Sequence, residues 1–358
     1  EDCPSVFNFP DDEDLVQEEF EKNIDFALSV ARSAADPDDP ESSVGLVADD
    51  MVVDEFPVSY GSDQPVAVNA KRALKNLRLW YQINGGDPVE VKTAEWTGGE
   101  RYGGEHDEYY AEFRAVVPGA SPGDQVTAWF TANKPGTGAI ETEPFTYTVA
   151  DDIGGDVLVL AAEDYTGVTP AQASGPSYVD DHVAAIEAAG YTTDVYDIDA
   201  HGRTAPHHLG VLSHYDAVVW ETGDDILPRN PGQGAGTAAK WGYDTELSVR
   251  DYLNEGGKLL VAGQYALFGQ GADGAYYYNP FEAEQGSCTT PGAYPCLPMG
   301  NDFLQYWLGA YTYVSDGGTS DTGPYPLIGN DGGPFAGFAA TLNGGDSADN
   351  QGHTAAFV

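Results

Sequence analysis

Apolar and polar residues alternate along the chain between residues 44 and 149, with a period of two. Residues 77–83 place an apolar side chain at every second position, the turn sequence Asn84-Gly-Gly-Asp87 follows, and the alternation resumes at Val89 and Val91. This arrangement predicts a β-hairpin. Further strands, separated by Pro- and Gly-containing turns, are predicted over 109–117, 125–132 and 144–149. Short strands at this spacing, with no helical period among them, predict a small β-sandwich of the immunoglobulin or fibronectin type over residues 37–150.

The pattern changes after residue 155, where apolar runs alternate with helical periods. Residues 156–161 form an apolar run, and residues 177–190 place Val179, Val183 and Ile186 on one helical face before Gly190, which suits a left-handed C-cap. Further strands are predicted over 192–199, 217–220 and 258–263, and a helix over 246–255. Alternating strands and helices imply a parallel sheet with right-handed crossovers. Residues 151–325 are therefore predicted to form a Rossmann-like α/β domain.

The two ends of the chain differ from these two regions. An amphipathic terminal helix is predicted over 12–34, with one apolar stripe formed by Val16, Phe20, Ile24, Ala27, Leu28 and Ala31. The Asp/Pro-rich run 35–40 then ends the helix and reads as a linker. After Tyr313 the sequence becomes rich in Gly and Asp, which indicates a truncated further β module over 326–358. The predicted fold is thus mixed, with segments 1–36, 37–150, 151–325 and 326–358.

The charge of the chain excludes some classes of partner. It carries 58 acidic and 15 basic residues, a formal net charge of -43. Nucleic acids and anionic membrane surfaces bind basic proteins, so we expect neither as a partner. The 41% of hydrophobic residues suffices for packed cores, so disorder does not follow. Two explanations of the acidity stay open: adaptation to a saline (halophilic) habitat, where salt screens self-repulsion, and the ordinary acidity of many secreted proteins.

Cysteine usage and hydropathy indicate the compartment. No apolar run is long enough to span a bilayer. Cys288 and Cys296 bracket a short loop containing Pro and Gly and are predicted to form a local disulfide, which favours a secreted, extracellular protein. Cys3 is then left to pair outside this sequence. Because the sequence starts at Glu1 without a Met or a signal peptide, we interpret it as a piece of a longer protein.

Polar side chains follow the predicted parallel strands at the points where they end. Glu163, Asp164 and Tyr165 follow the first strand, and Glu221 and Gln264 follow two others. Ligands of open α/β sheets bind outside the carboxyl ends of the strands, so these five residues are the candidate ligand-binding residues. Glu163 and Asp164 would form an acid/base pair if the pKa of one were raised. The alternative interpretation is two solvated carboxylates at a strand end.

Two short matches to catalytic motifs fail on context. Residues 119–123 fit the nucleophile-elbow pattern, but Pro118 and Pro122 place Ser121 in a turn between strands. Residues 269–274 fit a dinucleotide-binding loop, but a Tyr-rich segment follows them instead of a helix. No Ser or Cys follows the strand that ends at Gly263, so we predict no nucleophile and no catalytic residue in this chain.

Histidines and aromatic residues suggest two further kinds of site. His201, His207, His208 and His214 lie beside Asp197 and Asp199. They lack the one-face spacing of a tetrahedral zinc site, so a solvated loop is favoured and no metal ligand is predicted. The sequence also contains neither His-x-x-Glu nor His-Glu-x-x-His. Aromatic residues at 276–278 and 306–307 are candidates for stacking on sugars, although packing is the more frequent role of such residues.

Several idiosyncratic segments resemble one protein family over nearly the whole chain. They look like the region downstream of the catalytic domain in large secreted zinc carboxypeptidases of actinobacteria. The five segments are Phe26-Ala-Leu-Ser-Val-Ala-Arg-Ser-Ala-Ala-Asp-Pro-Asp-Asp-Pro40, Trp96-Thr-Gly-Gly-Glu-Arg-Tyr-Gly103, Leu158-Val-Leu-Ala-Ala-Glu-Asp-Tyr-Thr-Gly167, Leu209-Gly-Val-Leu-Ser-His-Tyr-Asp-Ala-Val-Val-Trp220 and Val249-Arg-Asp-Tyr-Leu-Asn-Glu-Gly-Gly-Lys258.

The resemblance implies a parent enzyme of the carboxypeptidase A/T type. Its catalytic domain would hold zinc through His-x-x-Glu and a later His, and would remove C-terminal residues from peptides through a zinc-activated water. None of these ligands maps onto this sequence, which therefore has no cofactor of its own. Residues 1–36 would carry the last helix of that upstream domain, and 151–325 would be a domain similar to class I glutamine amidotransferases without their Cys/His pair.

Three functions follow from these expectations. The first is a non-catalytic C-terminal portion of a secreted metallocarboxypeptidase, whose partners are the upstream catalytic domain and, through it, peptide substrates. The second is an α/β domain with its own small-ligand or hydrolase activity at Glu163, Asp164 and Gln264, which predicts a deep pocket at the strand ends. The third is a carbohydrate-binding accessory module, which predicts that the chain binds polysaccharides.

Overall fold

The computed structural model describes residues 13–35, 49–98, 110–151, 153–167, 175–225, 227–230, 237–263, 265–270, 276–281, 288, 292–310, 313–319, 325–333, 335–342 and 353–357. In these residues the fold is mixed and rich in β-structure. The helices are α1 (Glu13–Ala35), α2 (Val179–Ala188), α3 (Lys240–Asn254) and α4 (Phe303–Tyr306), with 3-10 turns at Leu212–His214 and Phe268–Gln270.

The strands in the first part of the described chain are short. They are β1 (Met51–Val53), β2 (Val58–Ser59), β3 (Gln64–Lys71), β4 (Lys75–Ile83), β5 (Val89–Lys92), β6 (Ala94–Glu95), β7 (Tyr110–Val117), β8 (Gln125–Lys134), β9 (Gly138–Glu141) and β10 (Phe145–Val149). The later strands are β11 (Val157–Ala161), β12 (Thr193–Asp197), β13 (Ala217–Glu221), β14 (Leu259–Ala262), β15 (Tyr277–Tyr278), β16 (Leu297–Pro298), β17 (Tyr313–Thr319), β18 (Tyr325–Ile328), β19 (Ala339–Leu342) and β20 (His353–Phe357).

The chain divides into two compact units. Described residues up to Pro57, together with Asp63–Ala120 and Asp124–Thr148, form the first unit. Val58–Ser62, Ser121–Gly123 and the described residues from Val149 onward form the second.

The first unit contains two antiparallel sheets. One has the order β1-β3-β7-β6; the other contains β10-β8-β4-β5, and β9 pairs with Thr131–Lys134 at the C-terminal end of β8. Burial alternates along the strands as the sequence predicted: in β4, Leu77, Leu79 and Tyr81 are buried, while the residues between them are partly exposed. One face of each sheet thus supplies the core and the other meets solvent.

The second unit is built on a parallel sheet. Its order is β12-β11-β13-β14, and all three pairings are parallel. Leu158 and Leu160 of β11 face one buried cluster that includes Val249 and Tyr252 of α3. Val159 and Ala161 face the other side, where Val179, Val183 and Ile186 of α2 pack. Helices therefore cover both faces of the central strand, as expected for a buried parallel sheet.

Two helices show how the predicted boundaries compare with the observed ones. Gly190, just after α2, has a φ of +92°, the left-handed conformation that the sequence predicted there. Helix α3 begins at Lys240, six residues before the predicted start at 246. Its first turn contains Gly242, where a Cβ would lie 2.6 Å from Pro228 Cγ, so close packing explains a residue that otherwise weakens a helix.

The remaining elements lie near the end of the chain. β17 pairs with β20 and β18 pairs with β19, both antiparallel, and the β17–β20 pair joins residues on the two sides of the predicted boundary at 325. A disulfide joins Cys288 to Cys296, whose Cα atoms are 5.9 Å apart. Cys3 lies outside the described residues. Of the helices in the described ranges, none combines the length and the apolar character needed to cross a membrane.

Candidate functional site

Three of the predicted site residues lie together at the carboxyl end of the parallel sheet. Ala161 ends β11 and pairs with Glu221, which ends β13, and Glu163 and Asp164 follow two and three residues later. All three carboxylates are buried, with relative exposures of 1% for Glu163, 0% for Asp164 and 1% for Glu221. The alternative interpretation of two solvated carboxylates is therefore wrong. Gln264, another of the five predicted residues, lies outside the described residues.

Glu163 is bound by the backbone that leads into α2. Its carboxylate accepts hydrogen bonds from the N–H groups of Ser177 (2.8 and 2.9 Å) and Tyr178 (2.9 Å), immediately before the helix begins at Val179. A negative charge at a helix N-terminus is favourable because the helix dipole places positive charge there. Glu163 thus serves as the anchor of this helix.

Glu221 lies next to Glu163 and holds its proton more tightly than an ordinary glutamic acid. Burial, then the charge of Glu163 and a hydrogen bond with it, raise the pKa of Glu221 from 4.5 to about 9. The Gly223 N–H donates to Glu221 Oε2 at 3.0 Å. Gly223 has a φ of +55°, and a Cβ there would lie 2.8 Å from Glu163 Cγ, so this turn requires glycine. At neutral pH Glu221 is therefore a neutral carboxylic acid.

Asp164 is bound by Arg203. The Arg203 guanidinium donates to Asp164 Oδ1 and, at 2.8 Å, to Asp199 Oδ1. Asp164 Oδ2 accepts a second bond from the Arg229 N–H (2.6 Å), and the N–H of Asp164 donates to Asp225 Oδ2 (2.6 Å). Each carboxylate therefore receives strong donors from within the protein. The cationic position between the two aspartates is already filled by Arg203.

Tyr165 adds to the same network. Its hydroxyl donates to Asp197 Oδ2 at 2.8 Å, and burial, followed by the hydrogen bond and charge of Asp197, raises the pKa of Tyr165. Asp197 ends β12. The hydroxyl stays protonated and bridges the ends of neighbouring strands instead of acting as a base.

The cavity beside these residues is small. It has a volume of about 30 Å³ and is lined by Trp220, Thr222, Trp241, Tyr265 and Gln270, among others. That is room for one or two water molecules. Three buried polar atoms of its lining residues, Trp220 Nε1, Thr222 Oγ1 and Trp241 Nε1, have no hydrogen-bond partner among the described residues. Buried groups of this kind are commonly satisfied by water.

Sequence reasoning missed the partners of the strand-end carboxylates. Arg203 lies 39 residues after Asp164, and Asp225 lies 61 residues after it. One signal was present in the sequence: Arg203 follows Asp199 by four residues in a chain with few basic residues. Nothing local in the sequence predicts that both would reach Asp164.

Three of the four histidines next to the site have ring contacts or hydrogen bonds within the second unit. The ring of His201 stacks on Tyr196 with centroids 4.1 Å apart and planes at 14°. His214 is partly buried against Gly61, where a Cβ would lie 2.2 Å from the imidazole, and desolvation lowers its pKa to about 4. His207 Nδ1 accepts the N–H groups of Leu209 and Gly210, both at 3.2 Å.

The aromatic candidates of the second unit are mostly part of its packing. Trp307 stacks on Phe303 (6.1 Å), and the Arg250 guanidinium lies 3.9 Å from its ring centre. Tyr278 is buried and stacks on Tyr243 at 4.6 Å. Tyr306 is 66% exposed.

Comparison with known proteins assigns no family. No protein-family model and no curated protein matches the chain. Among solved structures, a β-1,3-glucan binding domain of carbohydrate-binding module family 56 is 18% identical over 27% of this chain and 94% of its own length, with a TM-score of 0.19. The cycloalternan-forming enzyme from Listeria monocytogenes is 17% identical, covering 29% of this chain and 9% of that enzyme, with a TM-score of 0.22.

A third similar structure is a family 64 β-1,3-glucanase from Paenibacillus barengoltzii. It is 18% identical over 31% of this chain and 26% of the enzyme, with a TM-score of 0.20. The chain thus spans a small part of both enzymes. TM-scores this low carry no argument about fold or function.

Proposed function

We propose that this chain is a non-catalytic accessory portion of a secreted zinc metallocarboxypeptidase. Its second unit would be a Rossmann-like domain of the class I glutamine amidotransferase type that has lost its nucleophile, and its first unit an immunoglobulin- or fibronectin-like sandwich. The enzyme's partners would be peptides, bound by the upstream catalytic domain. Zinc would be held there and not here.

One observation carries the non-catalytic part of this proposal. At the strand ends, where an α/β enzyme places its reacting groups, each carboxyl group accepts an internal hydrogen bond: Glu163 from backbone N–H groups, Asp164 from Arg203, and Glu221 from the Gly223 N–H. Zinc does not fit this cluster, because Arg203 supplies its positive charge and its described members offer no imidazole. The adjoining cavity of about 30 Å³ is far smaller than a substrate pocket.

Helix α1 supports the proposal that this chain is an accessory portion of a larger enzyme. Along α1, Val16, Phe20 and Leu28 form a stripe spaced by multiples of four residues and are 48%, 55% and 43% exposed. A helix in a folded protein normally buries such a stripe. A catalytic domain that packs on α1 would cover it.

The decisive experiment is to sequence the reading frame upstream of Glu1. We expect a signal peptide, a His-x-x-Glu, a later His and a general-base Glu. A start codon at this point, or an unrelated domain, would contradict the carboxypeptidase parent. The upstream sequence therefore tests the parent's identity without reference to any activity of this chain.

The absence of catalysis in the chain itself needs a separate assay. The purified chain should release no C-terminal residue from peptides, hydrolyse no glutamine and retain no zinc after desalting. Any hydrolysis that co-purifies with the chain and is abolished by Glu163→Gln would instead favour an α/β domain with its own activity. The control is Glu255→Gln, which changes an exposed carboxylate in the same unit.

A further inference from the structure

The solvent-facing side of the sheet that contains β4 and β8 carries two tryptophans side by side. Trp80 of β4 and Trp129 of β8 are directly paired in the antiparallel register. Their ring centroids are 6.3 Å apart and their planes differ by 13°. Both are partly exposed, whereas Leu79 and Phe130, the residues next to them on the strands, have exposures of 0%. The indoles therefore lie on the face opposite the core.

The orientation of this pair is fixed before any ligand arrives. The Trp80 indole N–H donates to Thr131 Oγ1, the second residue along β8 from Trp129, at 3.1 Å. Rigid β-strands hold both side chains, so ordering them on binding costs little conformational entropy. Within the described ranges no group accepts a hydrogen bond from the Trp129 indole, so that N–H remains able to donate to a ligand.

Uncharged polar side chains and one ion-paired arginine surround the indoles. We call the set Arg78, Trp80, Gln82, Thr127, Trp129 and Thr131 the tryptophan face. Gln82 is directly paired with Thr127, whose hydroxyl lies 2.9 Å from that of Thr146. Amide and hydroxyl groups both donate and accept hydrogen bonds, which suits a ligand with many hydroxyls.

The charge of this face differs from that of the chain. Arg78 forms an ion pair with Glu90 at 3.3 Å, and Lys92 is paired with Arg78 across β4 and β5. Two of the 15 basic residues thus lie beside two acidic ones, Glu90 and Glu141, of which Glu141 is paired with Thr131 across β8 and β9, in a chain whose formal net charge is -43. The face is not acidic, yet it lacks the basic cluster that nucleic acids or sulfated glycans require. A stacked ligand that matches it is neutral.

We propose that the tryptophan face binds a neutral polysaccharide. The C–H side of a pyranose ring is apolar and would lie on the indoles, while its hydroxyl rim would bond to the Thr, Gln and Arg groups around them. Two indoles with centroids 6.3 Å apart would contact neighbouring parts of one glycan chain. This inference concerns the first unit only and holds whether or not the parent enzyme is a carboxypeptidase.

Affinity electrophoresis of the full chain tests this proposal. Native gels would contain neutral polysaccharides (soluble β-glucan, starch, xylan or glycol chitin) or anionic ones (polygalacturonate, heparin). We expect at least one neutral gel to retard the chain, and Trp80→Ala and Trp129→Ala each to weaken binding about tenfold. Trp80→Phe and Trp129→Phe keep an aromatic ring and should retain most of the affinity. Tyr306→Ala, which removes an exposed aromatic ring from the second unit, is the matched control and should change nothing.

A second measurement on the unaltered chain keeps the test independent of folding of the variants. Oxidation of tryptophans by N-bromosuccinimide, mapped by mass spectrometry, should slow at Trp80 and Trp129 when the retarding glycan is present. Retardation by anionic polysaccharides alone, by no neutral one, or without loss in both Ala variants would overturn the proposal. So would sedimentation showing a dimer that the Trp80→Ala variant abolishes without any glycan, since a second copy would then occupy the face.

Discussion

Glu163 and Glu221 lie side by side at the ends of β11 and β13, and ionising both in this buried place is costly. The raised pKa of Glu221, about 9 against 4.5, has a consequence for stability. Because the folded state holds this proton more tightly than the unfolded state, the stabilising contribution is complete below pH 4.5 and is lost as pH rises toward 9. The free energy of unfolding should fall in this window by up to about 1.4 kcal/mol per pH unit.

Replacement of this carboxyl by an amide removes the titration. We expect Glu221→Gln to flatten the decline in stability above pH 5. The free energy of unfolding of the variant should therefore increase relative to that of the wild type as pH rises toward 9. Urea unfolding at a series of pH values measures this. Glu255→Gln, at an exposed position, should leave the profile unchanged. Parallel profiles of the wild type and Glu221→Gln would mean that Glu221 is ionised across the whole range.

Arg203 compensates two buried carboxylates at once. Asp164 and Asp199 have side-chain exposures of 0%, and each accepts a bond from Arg203. Its removal leaves them without their cation, so Arg203→Leu should lower the free energy of unfolding by about 3–5 kcal/mol. Arg203→Lys keeps the charge but loses the planar guanidinium that also donates to the Arg229 carbonyl at 2.7 Å. Its free energy of unfolding should lie between those of the wild type and Arg203→Leu. Urea denaturation checks this order of stability, with the exposed Lys75→Ala as control. Equal stabilities of the wild type, Arg203→Lys and Arg203→Leu would refute this role of Arg203.

At the scale of elements, local periodicity predicted most strands and helices. The alternation of apolar and polar residues at Leu77, Leu79 and Tyr81 predicted β4, and the helical spacing of Val183 and Ile186 predicted α2. The early start of α3 at Lys240 was not predictable, because Gly242 is a poor helix former that tertiary packing against Pro228 allows. Local patterns fail where packing between distant segments decides.

The candidate site shows the same limit more strongly. The sequence pattern predicted that Glu163, Asp164 and Glu221 lie at one edge of the sheet, because parallel strands align their carboxyl ends. What those carboxylates do depends on partners up to 65 residues away, such as the Ser177 N–H and the Arg229 N–H. Hence the location of the site followed from the pattern, while its engagement in internal bonds did not.

The exposed stripe of α1 yields a prediction about that helix. In the isolated chain Phe20→Ser should change the free energy of unfolding by no more than about 0.5 kcal/mol, because the ring is 55% exposed. Leu79→Ala, in the same unit and fully buried, should cost about 2–5 kcal/mol. In the longer parent protein that we propose, Phe20→Ser should become destabilising. Thermal unfolding of both proteins measures the difference, and equal effects in the two would argue against a domain that covers the stripe.

At the scale of the whole molecule, electrostatic repulsion among 58 acidic residues opposes folding and is relieved only in part by 15 basic ones. Salt shortens the range of this repulsion, since the Debye length falls from about 10 Å at 0.1 M to about 3 Å at 1 M. We therefore expect the unfolding temperature to rise between low and molar NaCl, by about 2–4 °C for each kcal/mol of relief. Sucrose, which is uncharged, controls for general solute effects, and calorimetry records the transition of each unit.

The low-salt end of this titration separates the two explanations of the acidity. A chain adapted to a saline habitat would lose its cooperative transition when salt is removed, because unscreened repulsion then exceeds its marginal stability. An ordinary acidic secreted protein would stay folded and gain only modestly from added salt. An unfolding temperature that does not respond to NaCl would mean that ion pairs such as Lys134 with Asp50 already offset the repulsion locally, and that the net charge does not govern stability.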